Sequence, residues 1–334
     1  MALRRLATLA TSRRGIGIGL VLGVAVAVVV VVILGPRAGA DIASAADASR
    51  QAAQPLWFVV ALVALVIALV ADAATLVVLV RHLGECTSVL GTAGVGFESY
   101  LAAGATSFGG LEVPFVMVRL KGVGVSVPKG GSIIMAKGLV HVTVLVMVAA
   151  LALTPVGATV LTSLQSRILL GVIAFLCLLW LVGSVLLRGS LGLNRLPAPV
   201  RDRLTAFWET ARLLRSRGWR LGLPLVALQI VYWVAMLSLV PLILLALGWR
   251  GDFKPLIVGQ AVLQVLMPLS PLPGGAGVAE LGYLGIIGRT VPRDLTVASL
   301  VIWRAYTWVL PMALGGFVLG ARTLLRRRRE VVGS

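Results

Sequence analysis

Apolar residues run along this chain in long unbroken blocks, separated by short basic or glycine- and proline-containing segments. A helix that crosses a bilayer needs about 20 predominantly apolar residues. Six blocks meet that length: Gly15–Leu34, Leu56–Val80, Ser132–Leu153, Ile168–Leu187, Leu221–Leu247 and Leu295–Gly320. Two more stretches, Ser88–Gly122 and Lys254–Gly288, are apolar but interrupted by glycine and proline. Each predicts a pair of half-helices meeting at a turn, a re-entrant hairpin. The blocks do not show the alternation of barrel strands, and lipid then leaves the helix as the structure that satisfies its own backbone. The expected fold class is an all-α polytopic membrane protein with about six full transmembrane helices and two broken helical hairpins.

Composition supports lipid as the solvent. Of 334 residues 59% are hydrophobic and only 13% charged, too little polar surface to cover a soluble core. The net charge of +18 resembles that of a nucleic-acid binder, but its placement argues otherwise. Basic residues gather beside the apolar blocks, at Arg4, Arg5, Arg13 and Arg14, over Arg188–Arg220, and at Arg326–Arg329. That distribution is the positive-inside pattern, which also favours anionic headgroups. No nucleic-acid partner is expected. Alternating the spans from an inner N-terminus puts every basic loop on the inner side, so both termini are expected in the cytoplasm and the chain in the plasma membrane. The first block could be taken for a secretory leader, with Ala38-Gly39-Ala40 as cleavage site; its apolar run exceeds the roughly 7–15 residues of such leaders and is expected to be retained. Within the basic loop 189–220, the spacing of Leu204, Phe207, Trp208, Ala211, Leu213 and Leu214 suits an amphipathic helix on the membrane surface, with a solvated linker helix as the equal alternative. Cys86 and Cys177 are isolated thiols without metal-ligand spacing.

The two halves of the chain echo each other. Gly109-Gly110-Leu111-Glu112 is followed by Val127-Pro128-Lys129 and then Lys137; Gly274-Gly275 and Glu280 are followed by Val291-Pro292-Arg293 and then Arg304. Each half reads span, span, broken hairpin, span. With hairpins that re-enter, three full spans fill each half, and an odd number forces the second copy upside down. The chain is therefore expected to form one transmembrane domain over 1–334, with inverted repeats at 15–154 and 168–320. In secondary transporters with that architecture the broken segments form the substrate site.

The sharpest motif is Pro271-Leu272-Pro273-Gly274-Gly275-Ala276-Gly277-Val278-Ala279-Glu280. Prolines stop one helix, glycines turn the chain, and a new helix start offers free N–H groups to a phosphate or carboxylate; a glycine-lined packing kink is the competing reading. Ionisable residues inside spans are functional candidates by default. Arg304 falls near mid-membrane, with Glu280 or Glu112 as expected partner. Lys137 is shallower and could snorkel to the inner surface. Asp72 could pair with a basic residue or carry a proton, and His141 could do the same. Gln229, Gln260 and Gln264 are expected as interhelical hydrogen-bond partners or pocket groups, while Trp303, Tyr306 and Trp308 are expected to pack or line the membrane interface. The candidate substrate-binding set is thus Gly274, Gly275, Gly277, Glu280, Arg304, Gly109, Gly110, Glu112, Lys137 and Asp72. No phosphate loop and no His-Glu-x-x-His motif occurs; neither a cofactor nor a metal is expected, and no catalytic set is recognised.

At Pro273–Glu280 the chain resembles the lysylphosphatidylglycerol synthase transmembrane-region family, which includes the flippase half of the multiple peptide resistance factor and stand-alone flippase-like proteins. Thr106–Glu112, Arg119–Val123 and Trp303–Pro311 support the resemblance. Where the family's first-half motif continues from its glutamate into a basic residue, Val113-Pro114-Phe115 stands here, which counts against phosphate binding by the first hairpin. A soluble aminoacyl-transferring domain is not expected after Ser334. The resemblance implies lipid handling: a flippase-like protein for lipids with anionic or aminoacylated headgroups. The competing class is a non-transporting scaffold, its basic loop docking a membrane-associated glycosyltransferase or lipid-modifying enzyme. Oligomeric state is not legible.

Overall fold

A computed structural model describes residues 54–85, 87–106, 112–150 and 218–332, with scattered positions between 167 and 216. Among the described residues all regular structure is helical. The elements run α1 (Pro55–His82), α2 (Val89–Gly104), α3 (Glu112–Lys121), α4 (Val127–Ala150), α5 (Trp219–Ala246), α6 (Lys254–Leu266), α7 (Val278–Ile286), α8 (Arg293–Arg304) and α9 (Leu310–Val332). Short 3₁₀ turns at Met267–Leu269 and Pro273–Gly275 join α6 to α7, and a π-helical segment, Ala305–Val309, joins α8 to α9.

Four helices are long and apolar enough to cross a membrane: Pro55–His82, Val127–Val148, Trp219–Ala246 and the continuous run Arg293–Leu325. They correspond to four of the six expected spans. The blocks Gly15–Leu34 and Ile168–Leu187 lie wholly or largely outside the described residues, as do most of the amphipathic segment, Cys86, Gly109 and Gly110. Both interrupted stretches are broken helices. Pro268, Pro271 and Pro273 end the helical hydrogen-bond ladder after α6.

The polarity of these helices is inverted relative to a soluble bundle. Along α1, Leu56, Val59, Val63, Val66 and Val70 are exposed, while Asp72 and Thr75 are buried with Leu65, Leu69 and Leu76. Apolar side chains outward and polar ones inward is the arrangement that lipid selects. Helix α1 packs along α5, and α2 along α9, in the two most extensive contacts of the fold. The second depends on Gly315: a Cβ there would come within 2.7 Å of the Phe97 carbonyl oxygen, so only glycine allows this approach.

Helix α5 carries Pro241 in its interior, and a side chain of α6 bonds its backbone just before the proline. The Val240 N–H donates to Gln260 Oε1 at 3.4 Å, and Gln260 Nε2 donates to the Met236 carbonyl at 2.6 Å. A glutamine from α6 thus ties its own polar group to the α5 backbone, where lipid supplies no water to satisfy it.

Candidate functional site

Asp72, Glu112, Lys137 and Arg304 line one cavity made of two adjoining chambers, of about 440 and 740 Å³. Tyr100, Glu112, His141, Tyr232 and Gln264 line both. The smaller chamber ends on Gly274, Gly275, Arg304 and Trp308; the larger ends on Asp72 and Lys137.

Arg304 is the last residue of α8, immediately before the π segment. A π-helical turn widens the helix and re-aims the side chains that follow, a feature common at functional sites. Here Trp308 comes over the guanidinium, 4.9 Å from Arg304 Cζ to the ring centre, and donates from Nε1 to the Gly104 carbonyl at 3.1 Å. Arg304 Nη1 donates to the Gly274 carbonyl at 2.9 Å. Its Nε lies 2.8 Å from Glu280 Oε1, but the N–H is not aligned with that oxygen, so Coulomb attraction holds the pair. Nη2 has no hydrogen-bond acceptor among the described residues. Arg304 is 4% exposed and Glu280 fully buried.

The glycine turn works differently from the expectation. Gly274, Gly275 and Gly277 all have positive φ, and Gly274 (φ 63°) also lies against Trp308, where a Cβ would come within 2.2 Å of Nε1. The free N–H groups expected at the start of α7 are partly spent. Gly277 N–H donates to Glu280 Oε2 at 2.6 Å, so the protein's own carboxylate occupies the anion position there. What the turn presents to Arg304 is the Gly274 carbonyl. Gly274 and Gly275 line the cavity; Gly277 does not.

At the other end, Lys137 Nζ donates to Asp72 Oδ2 at 2.8 Å, and the Tyr100 hydroxyl donates to the same oxygen at 3.0 Å. Lys137 therefore does not snorkel to the surface: a buried carboxylate from α1 outbids the headgroup region in a medium of low dielectric. His141 Nδ1 lies 3.0 Å from Gln229 Oε1, and Gln229 Nε2 donates to Thr75 at 3.3 Å, tying α4, α5 and α1 together. The His141 ring packs on Tyr232 and Trp233. Glu112 reaches the cavity wall, but Arg304 pairs with Glu280 and not with it.

Sequence reasoning missed several of these groups. Trp308 lines the cavity and stacks on Arg304, whereas Trp303 is buried against Tyr283 with ring centres 5.2 Å apart. Tyr100 carries no sequence signal that separates it from an interfacial tyrosine. Glu98 does: it is an acidic residue in an apolar helix, the same signal that singled out Asp72. It is fully buried and takes Arg119 from α3 (Nη2 at 2.9 Å) and Arg322 from α9 (Nη1 at 2.9 Å), clamping three helices together away from the cavity.

Among curated proteins none matches the chain. The family model of the lysylphosphatidylglycerol synthase TM region matches residues 20–315, most of its length. With four apolar helices of membrane-crossing length and a polar interior, the chain is a multi-pass helical membrane protein that belongs to the lysylphosphatidylglycerol synthase TM region family.

Proposed function

We propose that this chain binds a lipid by its charged headgroup, phosphate-bearing or aminoacylated, and carries that headgroup across the bilayer. The single observation behind the reading is the cavity itself. Charged side chains converge on it from α1, α3, α4 and α8, while the same bundle turns valine and leucine outward. Acyl chains cross lipid at no cost, so a cavity of this polarity serves only the head. Arg304 offers an anion the N–H donors that Glu280 and Gly274 leave unused, and Trp308 holds the guanidinium plane. Glu280, capping its own helix with one oxygen and facing Arg304 with the other, acts as a positioning residue.

The proposal extends to architecture. The halves 15–154 and 168–320 form inverted repeats in the plasma membrane, with both termini cytoplasmic. The broken pairs α2–α3 and α6–α7 are the re-entrant hairpins, each followed by a long helix whose cavity-lining cation, Lys137 or Arg304, lies roughly 15 Å from its start at helical rise. The role is binding and transport, with no bond made or broken.

Headgroup translocation in proteoliposomes tests it. Labelled anionic, aminoacylated and prenyl-phosphate lipids are offered to wild type, Arg304→Ala and Glu280→Gln. Movement of at least one class by wild type, and its loss in folded Arg304→Ala, is the expected result. Failure of wild type to move any of them, with or without an imposed gradient, refutes transport and favours the scaffold reading, which co-purification of a soluble enzyme would support.

A further inference from the structure

The charges around the cavity do not balance. Among the described residues two cations, Lys137 and Arg304, and two carboxylates, Asp72 and Glu112, line it, and Glu280, outside the lining, already pairs with Arg304, so three carboxylates share two cations. In a membrane interior an uncompensated charge is costly enough that the group neutralises instead. The imbalance has a structural origin. The hairpin glutamate and the span cation are 24 residues apart in the second half and 25 in the first, Glu280 to Arg304 and Glu112 to Lys137. The second pair meets at 2.8 Å. The first does not, because Asp72 of α1 takes Lys137. One carboxylate is therefore spare, and the donors identify it. Asp72 accepts from Lys137 and Tyr100; Glu280 accepts from the Gly277 N–H and faces Arg304. Glu112 lines both chambers and has no ion pair among the described residues.

We propose that Glu112 is a proton-binding site: it carries a proton in this arrangement and exchanges it with water as the cavity changes sides, coupling headgroup movement to a proton gradient. The coupling rests on the transport reading above; the proton site does not. The step is a simple one. A proton from water binds a carboxylate oxygen of Glu112 and later returns to water, and no other bond changes. The titratable and charged groups that face Glu112 are Lys137 and His141 from α4, Asp72 from α1, Tyr100 from α2, Tyr232 from α5 and, at the far end, Arg304 from α8. Lys137 is the switch within this set. While it stays on Asp72, Glu112 holds its proton; a cargo that draws Lys137 or Asp72 away changes the charge Glu112 faces and so its proton occupancy.

Infrared difference spectroscopy of the full chain in phosphatidylcholine vesicles reads the proton directly. The expected result is a protonated-carboxyl carbonyl band that disappears on raising the pH. It shifts when the protein is grown on carboxyl-labelled glutamate, is lost in Glu112→Gln and survives in Glu280→Gln. The isotope shift is measured in wild type, so assignment to a glutamate stands even if Glu112→Gln does not fold. Absence of the band at every pH, a band moved by labelled aspartate instead, or one that sodium removes at constant pH each overturns the proposal. The second readout is labelled-lipid movement with and without an imposed pH gradient. Acceleration by the gradient supports coupling, and equal rates refute it. A glutamate band in vesicles that move no lipid at all upholds the proton site and sinks the transport reading instead.

Discussion

Glu280→Gln and Arg304→Met, singly and together, probe the buried ion pair at one end of the cavity. Both partners are out of solvent, with Arg304 4% exposed and Glu280 fully buried. Glutamine keeps an oxygen for the Gly277 N–H, now 2.6 Å from Glu280 Oε2, so this change isolates the charge from the cap. Left alone, the Arg304 guanidinium retains the Gly274 carbonyl and the Trp308 ring, 4.9 Å away, but loses its counter-charge. Breaking one side of a buried pair costs about 3–5 kcal/mol, most of it the desolvation of the stranded partner. The reverse change, Arg304→Met, strands Glu280 against a single backbone donor and is expected to cost a similar amount. Removing both leaves no stranded charge, so the double variant is expected to be more stable than the sum of the singles by about 2–3 kcal/mol. The assay is reversible unfolding in bicelles, read by steric trapping or by tryptophan emission. If the two changes add within about 0.5 kcal/mol, the pair carries no coupling and the reading of this end of the cavity is wrong.

Gly274→Ala places a methyl within 2.2 Å of Trp308 Nε1 at a φ of 63°, so it is expected to cost at least about 2 kcal/mol and to shift tryptophan emission as Trp308 leaves Arg304. An unchanged thermal midpoint and spectrum would refute that contact. Gln260→Leu removes both hydrogen bonds from α6 to the α5 backbone and is expected to destabilise by about 1–2 kcal/mol in a chemical-denaturation series. An unchanged denaturation midpoint would show that these two bonds add nothing to stability. Glu98→Gln leaves Arg119 and Arg322 facing each other without their shared carboxylate; a loss of about 2–4 kcal/mol is expected, offset in Glu98→Gln/Arg322→Leu, and no offset would deny the three-helix clamp.

Much of this protein can be read from its residues in order. The spans at Pro55–His82, Val127–Ala150, Trp219–Ala246 and from Arg293 onward follow from unbroken apolar length, and the break before Val278 follows from three prolines and a run of glycines. These are local properties: a backbone in lipid has one way to satisfy itself, and proline and glycine interrupt it wherever they stand. The pairing of Arg304 with Glu280 was also within reach, since both are charges in apolar surroundings at matching depth. Which carboxylate Lys137 chose was not. Asp72 lies 65 positions away, and only the packing of α4 beside α1 brings its oxygen to 2.8 Å. The same holds for the Glu98 clamp, the π turn that carries Trp308 over Arg304, and the bonding of Gln260 to the backbone of another helix. Each depends on distances between helices that no local pattern encodes. Sequence alone told which groups lipid would force indoors; the tertiary structure decided who met whom there, because in a low-dielectric interior a separation of a few ångströms determines whether a charge is paired or spare.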